Sequence, residues 1–272
     1  MQENRFDYGP WWSALDVTTL SWASQFLMAY GALMWLACGL TYIRSLSDAR
    51  TLREVGIWVK PMKFMAATAL FVWTTVWCAE FANDALSHGH VYVGICTLIV
   101  VTSLFEVVYI TYQASQGAPS HYNTRSAWHT FMFGLMALAA VGLTASQAWL
   151  AWEIWTTRGL SPFPVTTWGI LIGLMFTFVF STISGFLLGA NQPPAGSGLP
   201  FVGWHFYKDI RPAHFLGVHA QQLVPLWGIF SVRFLGNYST QALAIGCSLY
   251  AVLWGLLTWK SLTGNFSVRT PS

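Results

Sequence analysis

The sequence predicts an all-α protein: an integral membrane bundle of seven transmembrane helices, N-terminus outside and C-terminus cytoplasmic. Three observations carry this. Apolar residues make up 55% of the 272 and charged residues 8%, against about 25% charged in an average soluble domain. So few charges do not cover a soluble globule of this size. Seven segments hold the roughly 20 mainly apolar residues that a spanning helix needs. Lys and Arg fall unequally on alternate loops, which sets the orientation. The 16 Trp and 10 Tyr suit the aromatic belts of membrane interfaces. The lipid bilayer is the first partner implied, and the bacterial inner membrane the expected location.

The segments form a single domain, 1–272, and run 20–43, 62–83, 91–115, 127–153, 165–190, 212–233 and 240–260. The first follows "FDYGPWWSALD", whose Trp pair suits the headgroup level. It lacks a basic stretch before it and is too long for a signal-peptide core, so no cleavable signal peptide is expected. The second begins at "VKPMKF", where Pro61 sits well in a first helical turn. The third carries a polar stripe, taken up below. Ser126 is placed to cap the fourth, with His129 one turn inside. The fifth contains "GFLLG", and Gly185 and Gly189 give the small-xxx-small spacing of close helix packing. The sixth follows Asp209, with Pro212 in its first turn. The seventh ends near Lys260. The longest connection, 191–211, starts Pro/Gly/Ser-rich and continues as the aromatic "FVGWHFY".

Ten of the 13 cations fall on one side: Arg44, Arg50, Arg53, Lys60, Lys63, Arg125, Lys208, Arg211, Lys260 and Arg269. Arg5, Arg158 and Arg233 fall on the other. The richer side is cytoplasmic. The net charge of +3 and the lack of a clustered basic face exclude a nucleic-acid surface. The four Cys are scattered without CxxC spacing and read as core-filling residues, although a Cys78–Cys96 disulfide across one loop stays open. No internal repeat is visible.

Ionisable groups within the bilayer mark functional sites. Glu106 lies about nine residues, or roughly 13 Å, inside the cytoplasmic end of the third segment. Ser103, Glu106, Tyr109 and Gln113 share one helical face, which must point into the bundle. In "DIRPAHFLGVHAQQLVPL", His214 is near the interface and His219 roughly 10 Å deep. Gln222 follows three residues on, and Pro225 frees a backbone carbonyl. Glu106, His219 and Gln222 are thus the expected catalytic group, if the third and sixth segments adjoin. The loop "ASQGAPSHYNTRSAWH" adds His121, Asn123 and His129 on the same side, and Lys60 and Lys63 reach it from the second segment. On the outer side, Glu80, Asp84, His88 and His90 read as a solvated face.

Taken together, "WVKPMKF", "EVVYITYQASQGAPSHYN" and "DIRPAHFLGVHAQQLVPL" resemble a group of bacterial polytopic membrane proteins with KPxKF, QxxxGxxSHxN and RPxHFxGxHxxQ stretches. The resemblance implies a multi-span bacterial membrane protein and carries no activity, cofactor or substrate.

Three functions remain in competition. The leading expectation is a membrane-embedded enzyme, metal-assisted or acid–base, acting on a lipid-like or small substrate. Glu106, His121 and His219 would hold a divalent metal ion, since such a site needs about three protein ligands. The second is a redox protein binding haem b between His129 and His214. The third is a proton-coupled transporter or receptor using Glu106 and His219 as a relay, lined by Ser181 and Ser184. It calls for polar groups outward of Glu106, and "VYVGICTLIVV" supplies few. Partner subunits in a larger membrane complex are the remaining alternative.

Overall fold

A computed structural model describes residues 19–82, 84–157, 163–196, 198–199, 202–205 and 207–263. The "FDYGPWWSALD" stretch, Arg5, Arg158, Arg269 and the Asp84 side chain lie outside the described residues.

The described chain is helical apart from one small hairpin. Its elements are α1 (Trp22–Ser45), β1 (Thr51–Leu52), β2 (Val55–Gly56), α2 (Val59–Ala82), a short α3 (Asp84–Ser87), α4 (His90–Ser115), α5 (Ala127–Thr157), α6 (Val165–Ala190), α7 (Arg211–Leu235) and α8 (Ser239–Thr263). Among the described residues, six stretches are long and apolar enough to cross a membrane: Trp22–Ser45, Val59–Phe81, His90–Ser115, Ala127–Thr157, Val165–Ala190 and Arg211–Thr263. Lys60 and Pro61 lie in the first turn of α2 and Lys63 just beyond it, at the boundary where the sequence placed them. The last stretch holds α7 and α8, joined by a 3-10 turn at Gly236–Tyr238.

Large apolar side chains face outward on several helices: Trp22 and Ile43 on α1, Leu138 and Trp152 on α5, Leu249 and Leu253 on α8. Water would penalise so much exposed apolar surface, and lipid would not. The interior carries the polar groups, as a bundle in lipid requires.

The central element is α2. It packs against α1, α4, α5, α6 and α7, and 72% of its spanning window is buried, against at most 44% elsewhere. Trp73 seats on α1 at Gly31 and donates its indole N–H to the Met28 carbonyl at 3.0 Å. The closest pair is α6 with α7. Gly169 and Gly173 of α6 meet Pro225, and Gly217 of α7 meets the backbone at Phe180 and Ser181, where a Cβ would come within 3.0 Å. The small-residue seam thus lies at these glycines. Gly189, expected to pack, has no neighbour within 4 Å. Three contacts pair α8 with α7 and its approach: Trp227 with the Ala242 carbonyl, Tyr250 with Leu216, and Ser261 with Asp209. One partner number rises as the other falls, so the two helices run antiparallel. All four cysteines are free, which rules out the Cys78–Cys96 bridge.

Candidate functional site

The polar site gathers at one end of α2. Lys60 is in the first turn of α2, and its Nζ donates to Ser120 Oγ at 2.9 Å. Ser120 is buried and belongs to the α4–α5 loop, which folds back over this end of the bundle. Two backbone features turn it: Gly117 and Tyr122 both have positive φ, 65° and 56°. Glycine adopts that conformation freely; Tyr122 is held there by donating its hydroxyl to the Leu188 carbonyl of α6. Asn123 closes the turn by donating to the Pro119 carbonyl at 3.0 Å.

Ser120 Oγ also lies 3.2 Å from His121 Nδ1. A lysine ammonium only donates, so the serine accepts from Lys60 and offers its own proton to Nδ1. The ring proton of His121 then sits on Nε2. The ring lies among Phe64, Tyr122 and Phe133, with centroids 5.8 to 6.4 Å away. Burial, then the Lys60 charge, then His214 hold the His121 imidazole well below its ordinary value of 6.5. The unfolded chain takes up this proton near pH 6.5 and the folded chain does not, so stability falls as pH drops below about 6.5. In His121→Gln that dependence is reduced, which a comparison of thermal midpoints from pH 7 down to pH 5 measures.

Glu106 completes the inner group. It is buried, with 7% exposure. Its carboxylate and the Lys60 ammonium attract one another across the α2–α4 contact. Ser103, Tyr109 and Gln113 are buried beside it, so the predicted stripe does face the interior. On α7, His214 Nδ1 is 3.1 Å from Ser184 Oγ of α6, and its ring lies near enough to act on His121. Ser126 caps α5 as expected, receiving the His129 N–H at 3.3 Å.

The expected trio of Glu106, His219 and Gln222 is not assembled directly. The helices α4 and α7 are not principal neighbours, and α2 packs against both. Gln222 is turned toward α2, donating to Thr74 Oγ1 at 3.1 Å. His219 rests on Phe215, with ring centroids 4.2 Å apart. Among the described residues no three His, Cys, Asp or Glu side chains gather as a metal site, so Glu106, His121 and His219 are not a ligand set. His129 and His214 stand on helices that share a neighbour. Their helices, α5 and α7, each pack on α6, and both rings engage serines through Nδ1.

A second correction concerns the opposite end of α2. Glu80 is not part of a solvated face but buried at 5% exposure. Ser24 donates to its Oε1 at 2.6 Å and Ser87 to its Oε2 at 3.1 Å. His88 and His90 are exposed as expected.

The described parts of the connection before α7 are tied to the same end of the bundle. Lys63 donates to the Val202 carbonyl at 2.9 Å and Arg53 to the Pro193 carbonyl at 2.6 Å. Asp209 receives Arg211 through both carboxylate oxygens, at 2.8 and 2.7 Å, and the His205 N–H at 2.7 Å.

Lys60 and Ser120 are the members that sequence reasoning passed over as functional. The signal was present: a lysine in the first turn of a spanning helix stands next to a polar loop that offers it partners. Comparison with protein-family models, curated proteins and solved structures gives no match. The site is read from its own geometry.

Proposed function

We propose that the chain is a seven-span protein of the bacterial inner membrane whose cytoplasmic half holds a membrane-embedded acid–base enzyme site. Antiparallel α7 and α8 support two separate crossings, which makes seven. The excess of Lys and Arg on alternate loops supports a cytoplasmic C-terminus and an outer N-terminus. The substrate is a small or lipid-like molecule entering between α2, the α4–α5 loop and the start of α7.

One observation carries this reading: Lys60, Ser120 and His121 are hydrogen-bonded in series, and the buried Glu106 lies within electrostatic reach of Lys60 on the packed helix α4. The three stretches singled out in the sequence supply all the members. A buried acid and a half-buried amine of opposite charge are poised to exchange protons with a substrate placed between them. Glu106 serves as the base and Lys60 as the acid. Ser120 and His121 relay the proton, and His214 extends the relay to α7. Burial matters here because the same charges act more strongly where water is excluded.

The test is direct. Proteoliposomes of the wild-type protein and of Glu106→Gln are incubated with a total bacterial lipid and metabolite extract, and the products are profiled by mass spectrometry. A species is converted by the wild type and left unconverted by the variant. Identical profiles from the two proteins contradict the reading.

A further inference from the structure

We infer that this bundle also conducts protons across the membrane, between Glu80 in the outer half and Glu106 in the inner half, along buried hydroxyls and amides arranged around α2. The inference goes beyond substrate chemistry at the inner site and rests only on the transmembrane reading.

The two ends are built alike. Each is a carboxylate buried in the bundle, Glu80 on α2 itself and Glu106 on α4, which packs on α2. At the outer end, Ser24 bridges Glu80 to Tyr92, donating at 2.6 Å to the former and lying 3.1 Å from the latter. From Lys60 to Glu80, α2 rises through twenty residues, roughly 30 Å, which is the thickness of the hydrocarbon core.

Polar groups fill the interval, although α4 alone does not supply them. Ser103, one turn outward of Glu106, pairs with Tyr30 of α1 at 3.0 Å. Thr74 receives Gln222 of α7 at 3.1 Å, and Thr75 receives Gln147 of α5 at 3.4 Å. Glu80 follows Thr75 five residues along α2, a rise of roughly 7.5 Å. Ser24 follows Tyr30 at six residues on α1, roughly 9 Å. These steps are within reach of side chains bridged by one or two waters. The thin outer half of α4, which weighed against a relay in the sequence, is therefore bypassed through α1, α2, α5 and α7.

A second observation separates a conducting column from a seam that merely holds helices together. In a static seam the buried polar atoms satisfy one another, because lipid offers nothing else. Here several do not. Gln147 is fully buried and its Oε1 has no hydrogen-bond partner among the described residues. Gln221 is fully buried with neither amide atom paired, and Gln222 Oε1 and Ser181 Oγ are likewise unpaired. These atoms lie within α5, α6 and α7, away from the helix ends. Leaving each bare costs about 1–3 kcal/mol, and internal water, which makes about three hydrogen bonds per molecule, is what satisfies such groups. A file of water between two carboxylates passes protons by hopping. A proton bound at one carboxylate is released at the other, and no covalent bond is changed overall.

The test uses purified protein in liposomes containing pyranine, with a potassium gradient and valinomycin setting the interior negative. No substrate is needed, so failure here leaves the inner acid–base site untouched. Wild-type protein acidifies the interior faster than protein-free liposomes by about tenfold or more. Glu80→Gln, which keeps the shape and its serine contacts, returns the rate to the protein-free level. Gln147→Leu and the isosteric Thr75→Val do the same, and the lipid-facing Leu138→Ala leaves it unchanged. Far-UV circular dichroism and size-exclusion profiles matching wild type establish that each variant is folded. A wild-type rate equal to that of protein-free liposomes overturns the inference. So does a wild-type rate retained by folded Glu80→Gln together with folded Thr75→Val.

Discussion

Lys60→Met lowers substrate conversion by about 100-fold or more, the usual share of a positioned acid or base, while the bundle stays inserted and folded. Methionine has a similar length and no branch at Cβ, so it fills the lysine channel without strain. What it removes is chemical. Ser120 loses the ammonium that donates to it at 2.9 Å, and Glu106 loses the opposite charge that compensates its burial. A carboxylate stranded in that way is costly, because the surrounding helices offer little solvation. His121 is relieved at the same time of the positive charge that helps to keep it neutral. The variant therefore shows two linked changes: conversion is lost, and the acid-side fall in thermal midpoint attributed to His121 becomes shallower. A purely structural lysine predicts the second change without the first. The measurement is the conversion assay paired with midpoints between pH 7 and pH 5.

Asp209→Asn costs about 3 kcal/mol of stability, the lower end for breaking a buried pair from one side. Asp209 is 2% exposed. Its two oxygens accept four hydrogen bonds: two from the Arg211 guanidinium, one from the Arg211 N–H and one from the His205 N–H. Its carbonyl also receives Ser261 of α8 at 2.6 Å. Asparagine keeps one acceptor oxygen and turns an amine toward donors, so at least one donor is orphaned and the guanidinium loses its counter-charge. The 191–210 connection depends on this knot for its hold on α7 and α8. A lowered thermal midpoint in detergent, with faster proteolysis between residues 191 and 210, is the expected result. An unchanged midpoint and cleavage rate contradict it.

Much of the local structure was legible. Long apolar runs bounded by polar sequence located the helices, because backbone satisfaction in lipid leaves few other solutions. The Ser103–Gln113 stripe pointed inward, since a polar face has no alternative in a bilayer. Ser126 as a cap followed from side-chain chemistry alone. What stayed hidden was which helices adjoin. A membrane helix is apolar nearly all round, so its pattern scarcely records which side meets a neighbour. That is why Glu106 was assigned to His219 although α2 stands between their helices, and why Lys60 was seen as a boundary residue and not as the partner. It is also why Glu80 was read as solvated: "AEFAND" looks like a helix end, and only packing against α1 and α3 encloses the carboxylate. Of the expected glycine pair, Gly185 does face α7, with His214 3.6 Å from where a Cβ would stand, and Gly189 has no such neighbour. Gly185 and Gly189 have the spacing of a packing motif, but the close approach occurs where Pro225 and Gly217 present themselves to α6.

The most direct test of the central claim, that Lys60 and Glu106 form one site, is a double-mutant cycle. Unfolding free energies in detergent are measured for wild type, Lys60→Met, Glu106→Gln and the double variant. The account predicts a coupling of about 1–3 kcal/mol, with the double variant less destabilised than the two single changes summed. Additivity within about 0.5 kcal/mol, the behaviour of distant and independent positions, contradicts it.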